Sequence, residues 1–217
     1  MAEQERAIRT RNKILMATAD AINEFSYEKA TISDIARRAG TTPGAVYFHF
    51  SNKEAVAHAV IDTQNAVSQK KAQATVAAGY CALEVMLRVS ADLMYDIIDD
   101  PLTRAGIRLT TEIHILDTPP TRSWNDWIEF NVALIRVARE EGDLKPDIDV
   151  DDVAQVLTSS IAGVHILSSL LEDFPGLAHR ARALWRQFVE ANASPEKVPH
   201  WISRTDALFA RPERIAP

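Results

Sequence analysis

One cysteine in 217 residues, Cys81, leaves nothing for an intrachain disulfide or a multi-cysteine metal cage, and it reads as a buried thiol. Seven glycines are few for a loop-rich β fold, and aromatic side chains make up only 7% of the chain. No run of about 18 uninterrupted apolar residues occurs, and the polar, basic stretch from Met1 to Lys13 precedes no apolar segment of the secretory type. The expected location is the cytoplasm, with no membrane partner. The six histidines, His49, His58, His114, His165, His179 and His200, form no His-x-x-x-His pair, and no glycine-rich phosphate loop is present. Neither a metal site, a cofactor nor a catalytic constellation is expected.

What is there is helix. Hydrophobic residues make up 47% and charged residues 25%, ordinary for a globular chain long enough to bury a core. Apolar residues recur with helical period throughout, and alternation never persists long enough for a sheet. The expectation is an all-α fold of about nine or ten helices. The net charge of −6 is unevenly divided: residues 1–53 carry eight Lys/Arg against six Asp/Glu, a balance of +2, which leaves −8 for residues 54–217. Only the N-terminal quarter suits a polyanion.

The first helix is expected from about Arg6 to Phe25, with Ile14, Leu15, Thr18, Ala21, Ile22 and Phe25 on one stripe and Arg9, Arg11 and Lys13 on its polar side. Thr31 precedes Ile32-Ser33-Asp34 as a capping arrangement, and Ile32, Ile35, Ala36 and Ala39 follow at helical spacing up to a stop at Gly40. Thr42-Pro43 opens another short helix, threonine as N-cap and proline in the first turn. Two short helices about a glycine turn are helix-turn-helix spacing. A fourth helix should start after Ser51, where Ser51-Asn52-Lys53-Glu54 reads as a second capping box, and continue to about Thr75. Further helices are expected at about 80–98, 101–116, 121–142, 150–172, 176–192 and 199–210, between Gly and Pro breakers. The domain reading is residues 1–53 for the helix-turn-helix and 54–217 for a larger helical domain.

The run Thr31 to Glu54, TISDIARRAG-TTPGAVYFHF-SNKE, resembles the TetR family signature almost position by position. Gly40 turns the chain, Ile35, Ala36, Val46 and Phe50 suit the small three-helix core, and Gly44 lets backbone approach DNA. The resemblance implies a homodimeric DNA-binding regulator. On it, Tyr47, His49 and Lys53 meet phosphates, while Thr42, Ala45 and Phe48 are candidates for base edges or thymine methyls. Pro43 stands where many relatives carry a lysine, so Arg9, Arg11, Arg37 and Arg38 are expected to supply more of the neutralising charge. Ser26 replaces a frequent glycine.

Asp100-Pro101-Leu102-Thr103-Arg104-Ala105-Gly106-Ile107-Arg108-Leu109, the stretch around Trp127, and Asp147 to Asp151 further resemble the γ-butyrolactone receptor group. That resemblance implies a repressor of secondary metabolism, released from a pseudo-palindromic operator by a small amphiphilic lactone-type signal. Trp127 matches the group's tryptophan in register. Gln64 and Ser160 fall where they can point into the same chamber, Asn131 supplies a polar handle, and Met86 and Ser90 recur on a neighbouring helix. The lining read this way is largely neutral, which favours a neutral or weakly acidic signal. His114 or His165 could orient a ligand, although a lone histidine on an apolar face is more often structural. Ile161, His165 and Ser168, with Leu184 and Phe188, look like a helix-pair dimer interface, a pattern that an intramolecular core also explains. The alternatives are a TetR-type multidrug or lipid sensor and, more distantly, a helical enzyme.

Overall fold

The computed structural model describes residues 2–111, 116–171 and 174–210. Among them are ten α-helices: α1 (Ala2–Phe25), α2 (Ile32–Arg38), α3 (Pro43–His49), α4 (Lys53–Ala77), α5 (Ala82–Asp99), α6 (Pro101–Thr111), α7 (Thr121–Glu140), α8 (Val150–Leu170), α9 (Pro175–Asn192) and α10 (Val198–Phe209). A 3-10 turn at Pro195–Lys197, which the periodicity did not signal, precedes α10. No strand occurs among the described residues; Leu144 and Ala193 form one isolated antiparallel bridge. His114 lies outside the described residues.

The caps form largely as the sequence indicates. The Thr31 hydroxyl accepts the Asp34 N–H at 3.1 Å and donates to the Asp34 carboxylate at 2.6 Å. That hydrogen bond holds the Asp34 carboxyl below its usual range. Thr42 caps α3 by accepting the Ala45 N–H at 3.2 Å, with Pro43 in the first turn. The cap of α4 differs from the expected one: Asn52, not Ser51, accepts the Ala55 N–H at 2.7 Å. Glu54 is therefore not a capping-box partner, and its carboxylate accepts the Thr118 N–H at 3.0 Å instead.

The chain forms two compact units, residues 1–67 with 96–120 and residues 68–95 with 121–217. The first is larger than the helix-turn-helix alone because α6 packs along α1. Ile14, Ile22, Ile35, Val46, Phe50, Ile61 and Leu109 meet in its buried core. Asn23 donates to the Pro101 carbonyl at 2.8 Å and Arg108 to the Ile22 carbonyl at 3.1 Å, so α6 is tied to the end of α1 by polar as well as apolar contacts.

In the second unit α8 packs on α7 and α9, and α9 on α10. Trp185 is buried, and its indole N–H donates to the Ser90 hydroxyl at 2.7 Å. Arg204 of α10 and Arg88 both bind the buried Glu84 carboxylate of α5. Burial opposes ionisation of Glu84, but these hydrogen bonds outweigh it and keep the carboxyl below its usual range. Asp149 caps α8, its Oδ1 accepting the Asp151 and Asp152 N–H groups at 3.0 Å each. By length and composition alone α8 would suffice to cross a membrane. One of its faces, with Leu157, Thr158, His165 and Ser168, is nevertheless buried inside the protein.

Ser26 follows α1 at φ 75°, in the left-handed region, where a side chain costs about 1 kcal/mol and glycine nothing. Replacing the residue that stands in a glycine position should relieve that strain. Ser26→Gly is expected to stabilise the protein by about 0.5–1 kcal/mol, read from the midpoint of chemical denaturation. An unchanged or lowered midpoint would contradict the strain.

Candidate functional site

A seven-residue helix cannot persist by propensity alone, so α3 exists because tertiary packing holds it. Val46 and, just beyond it, Phe50 are buried in the first unit's core, which fixes the opposite side of α3 outward. Thr42, Pro43, Gly44, Tyr47 and Phe48 are exposed, Phe48 to 83%, while Ala45 and His49 are half-buried. An 83%-exposed phenylalanine on a short helix contributes little to the fold and is placed to touch something outside it. Gly44 adds to this, because a Cβ there would meet only the Thr42 hydroxyl at 3.9 Å. The protein's own packing does not require that glycine.

The predicted cations are on the same unit but differ in freedom. Arg9 is exposed. Arg11 lies over the Phe50 ring at 5.1 Å. Arg37 pairs with Asp34 at 2.7 Å yet stays largely exposed, and Arg38 pairs with Glu24 at 2.6 Å and lies over the Phe25 ring at 5.2 Å. Lys53 is the most committed. Its ammonium donates to the Glu28 carbonyl at 3.2 Å and sits 4.3 Å from the Tyr27 ring centroid, and burial lowers its pKa.

Asp100 to Leu109, read from sequence only as a resemblance, has a structural role. Asp100 caps α6 by accepting the Thr103 N–H at 3.0 Å, Arg104 donates to the Ile97 carbonyl at 2.9 Å and also to that of Ile98, and Arg108 reaches α1. Gly106 admits Gln64: a Cβ on residue 106 would lie 2.6 Å from the Gln64 Cβ and 2.8 Å from its Cγ. Gln64 is accordingly buried, packed against α6. A glycine inside a helix is the sequence signal that could have revealed this close approach.

The other predicted ligand residues do not converge. Trp127 lines a groove of about 330 Å³ with Gln69, Ala72, Gln73, Asp126 and Phe130. Ser160 lines a second groove of about 330 Å³ on α8 and α9, beside Leu157, Leu184 and Phe188. Trp127 and Ser160 thus line different grooves. The physical reason is that α8 turns one face to α9, and Ser160 sits at that edge. Met86 and Ser90 are buried in the second unit's core, with the Ser90 hydroxyl engaged by Trp185. Asn131 donates to the Thr158 hydroxyl at 3.0 Å. The groove around Trp127 also contains one carboxylate, Asp126, among uncharged residues.

Of the residues read as a dimer interface, His165, Ser168 and Phe188 are buried within the protomer, and Ile161 and Leu184 are half-buried. Ser168 accepts from Arg180 at 3.1 Å. The large hydrophobic side chains left exposed on α8 and its C-cap are Val156, Ile166, Leu167, Leu170 and Leu171, with Leu170 76% exposed. Cys81 is half-buried rather than buried, and burial pushes its thiol up. It stands with Glu141 and Asp143, a trio no spacing signalled. Glu141 already accepts the Ala82 N–H at 2.8 Å and Asp143 holds Lys197 at 2.8 Å, so two of the three are occupied structurally.

A capped, outward-facing short helix after a glycine turn, on an otherwise all-helical chain, defines a helix-turn-helix regulator. Residues 14–60 match the bacterial regulatory proteins of the tetR family, and residues 80–193 match the tetracyclin repressor-like C-terminal domain. The chain belongs to the TetR family. It is 30% identical over 200 residues to the A-factor receptor protein of Streptomyces griseus, covering 92% of this chain and 70% of that one. Among solved structures it resembles CprB of Streptomyces coelicolor in complex with its operator, at TM-score 0.79 and 30% identity over 94% of this chain and 98% of that one. A γ-butyrolactone receptor, an ArpA-like protein, aligns at TM-score 0.77 and 29% identity over 94% and 97% of the two chains.

His165 provides a test of which α8 face is internal. Burial pushes its imidazole down to about 4, and neither ring nitrogen has a hydrogen-bond partner among the described residues. A folded-state pKa below the unfolded value of about 6.5 means that the stability of the neutral form is full above 6.5 and is lost as pH falls toward 4. His165→Leu should therefore be at least as stable as the parent at pH 7, and its advantage should grow between pH 7 and pH 5 in thermal melts. Parallel pH profiles for the two proteins would contradict the inward placement.

Proposed function

We propose that this chain is a homodimeric repressor that binds a two-fold symmetric DNA site through α3 and is released by a small amphiphilic signal of the γ-butyrolactone class. The observation that carries the DNA half is the outward presentation of Tyr47 and Phe48 on α3, with Val46 and Phe50 anchoring its other side. Tyr47, His49 and the cations Arg9, Arg11, Arg37 and Arg38 then supply phosphate contacts, which fix register without reading sequence. Lys53 joins them through the ammonium donors not used by Glu28, since an ammonium has three. Thr42 keeps its O–H to offer after capping α3, and with Ala45 and Phe48 it faces base edges and thymine methyls.

The partner face is the exposed apolar stripe of α8 and its C-cap, Val156, Leu167, Leu170 and Leu171, rather than the buried His165, Ser168 and Phe188. One short helix reads few base pairs, so two-fold pairing is what gives a site useful length. The signal class is supported by the likeness to the A-factor receptor and to γ-butyrolactone receptors. Trp127, in the groove between α4 and α7, is its main contact. A symmetric dimer moved from about 1:99 to 99:1 needs roughly 5.5 kcal/mol of differential binding, about half per site. Differential burial of a few CH₂ groups, at about 0.8 kcal/mol each, is enough. A second reading, a multidrug or lipid sensor, gains support from Asp126 beside Trp127 in that groove.

Two variants test the halves separately. Leu167→Glu with Leu170→Glu should give a folded monomer on light scattering and weaken operator binding at least tenfold; a full-affinity dimer would refute the α8 face. Trp127→Ala should bind operator as the parent does but no longer be released by a γ-butyrolactone. Normal release, or loss of DNA binding in a folded dimer, would remove Trp127 from the sensing site.

A further inference from the structure

The turn between α1 and α2 does more than reverse the chain. Ser26 enters it at φ 75°, the Ser26 carbonyl accepts the Ala30 N–H at 3.1 Å, and Ala30 is buried. Residues 26–30 are thereby closed into one fixed turn. Tyr27 packs against the buried core of the first unit, which restrains its ring. The Lys53 ammonium lies 4.3 Å from the centroid of that ring, and it donates to the Glu28 carbonyl of the same turn at 3.2 Å. Two consecutive residues thus hold one cation at the start of α4.

Other cations of the DNA-reading unit are held differently. Arg37 and Arg38 are paired with the carboxylates of Asp34 and Glu24, and an arriving phosphate must compete with those pairs. No carboxylate forms an ion pair with Lys53 among the described residues, although that of Glu28 is near enough to favour its charge. Lys53 is therefore placed without being neutralised. A lysine has a long, flexible stem, and the freedom it loses on meeting a phosphate weighs against binding. Holding the ammonium beforehand moves that cost into folding. Burial, with the carboxylates of Glu54 and Asp117 nearby, raises the Tyr27 phenol, so Tyr27 offers the electron-rich face of a neutral ring.

We propose that Tyr27 is a positioning residue for DNA binding: its ring, with the Glu28 carbonyl, holds Lys53 ready to meet a backbone phosphate. The ammonium keeps its charge and its remaining N–H groups for that contact. This rests on the reading of Lys53 as a phosphate contact and adds the residue that sets its place. What the role needs is the aromatic face and not the hydroxyl. Phenylalanine should therefore replace Tyr27 without loss, and an aliphatic side chain of similar bulk should not.

The test is binding of the full-length protein to a mixed-sequence duplex pool of about 30 base pairs at low salt, followed by fluorescence anisotropy, which reads phosphate contacts whatever the base sequence. Lys53→Gln should weaken binding and flatten its salt dependence by about one counterion per chain. Tyr27→Leu should weaken the parent at least about fivefold, because each of two chains loses a ring contact, yet leave the Lys53→Gln variant unchanged. Tyr27→Phe should bind as the parent does. Equal weakening by Tyr27→Leu in both backgrounds would mean a structural role only and would overturn the proposal. If Lys53→Gln binds as the parent does, the phosphate reading of Lys53 falls and the proposal with it. If Lys53→Gln weakens binding and Tyr27→Leu does not, the positioning role alone falls. Proton NMR of the parent serves even where Tyr27→Leu does not fold: the Lys53 ε-methylene protons should lie upfield of those of the other lysines, shielded by the ring, and an ordinary shift would overturn the contact.

Discussion

The burial of Val46 and Phe50 beneath α3 is the contact on which the rest of the first unit depends. A helix of seven residues has too few internal hydrogen bonds to offset the cost of nucleating it. Its orientation is therefore a property of the core formed by α1, α2, α4 and α6, and not of its own sequence. Once Val46 points in, helical geometry places Gly44 and Phe48 on the opposite side with Tyr47 beside them, while Pro43 is exposed because it opens the helix. Everything proposed about reading DNA follows from that one inward residue and from the caps, Thr31 and Thr42, that stop each short helix from fraying.

The same core explains why α6 belongs with the DNA-reading helices. Arg108 and Asn23 link α6 to α1, and the missing side chain at Gly106 lets Gln64 of α4 pack against it. Filling that notch would force α4 and α6 apart, because the clash would be with a Cβ and not with the end of a flexible chain. The geometry of α4 just beyond the helix-turn-helix is thus set from α6. Within the first unit, a shift of α4 at Gln64 would press on α6, and α6 is tied to α1 through Arg108 and Asn23.

Much of this was legible in the chain itself. Thr-x-x-Asp and Thr-Pro announce helix starts, and helical period with Gly and Pro breakers located the ten helices of the described residues to within a few residues, because those signals are local. The residues expected in the three-helix core, Ile35, Ala36, Val46 and Phe50, are all buried. What period cannot reveal is which neighbour a face will meet. The α8 pattern has two apolar faces, and only the fold shows that His165 and Ser168 turn inward while Leu167 and Leu170 are left outside. That Trp127 and Ser160 line different grooves is likewise a matter of which neighbour each face meets. Asp126 was passed over because an exposed-looking acid next to a tryptophan has no sequence signature, although it changes the charge of the groove. Asn52 displaced Ser51 as the α4 cap because both are good caps and the choice depends on where the chain leaves Phe50.

Whether two copies of α3 read one symmetric DNA site is decided by selecting bound duplexes from a random pool. An inverted repeat bound by two chains should be enriched, and the enrichment should be lost when Phe48 is replaced by alanine in a protein that still folds. Failure to enrich any sequence, or enrichment of a single asymmetric site occupied by one chain, would contradict it.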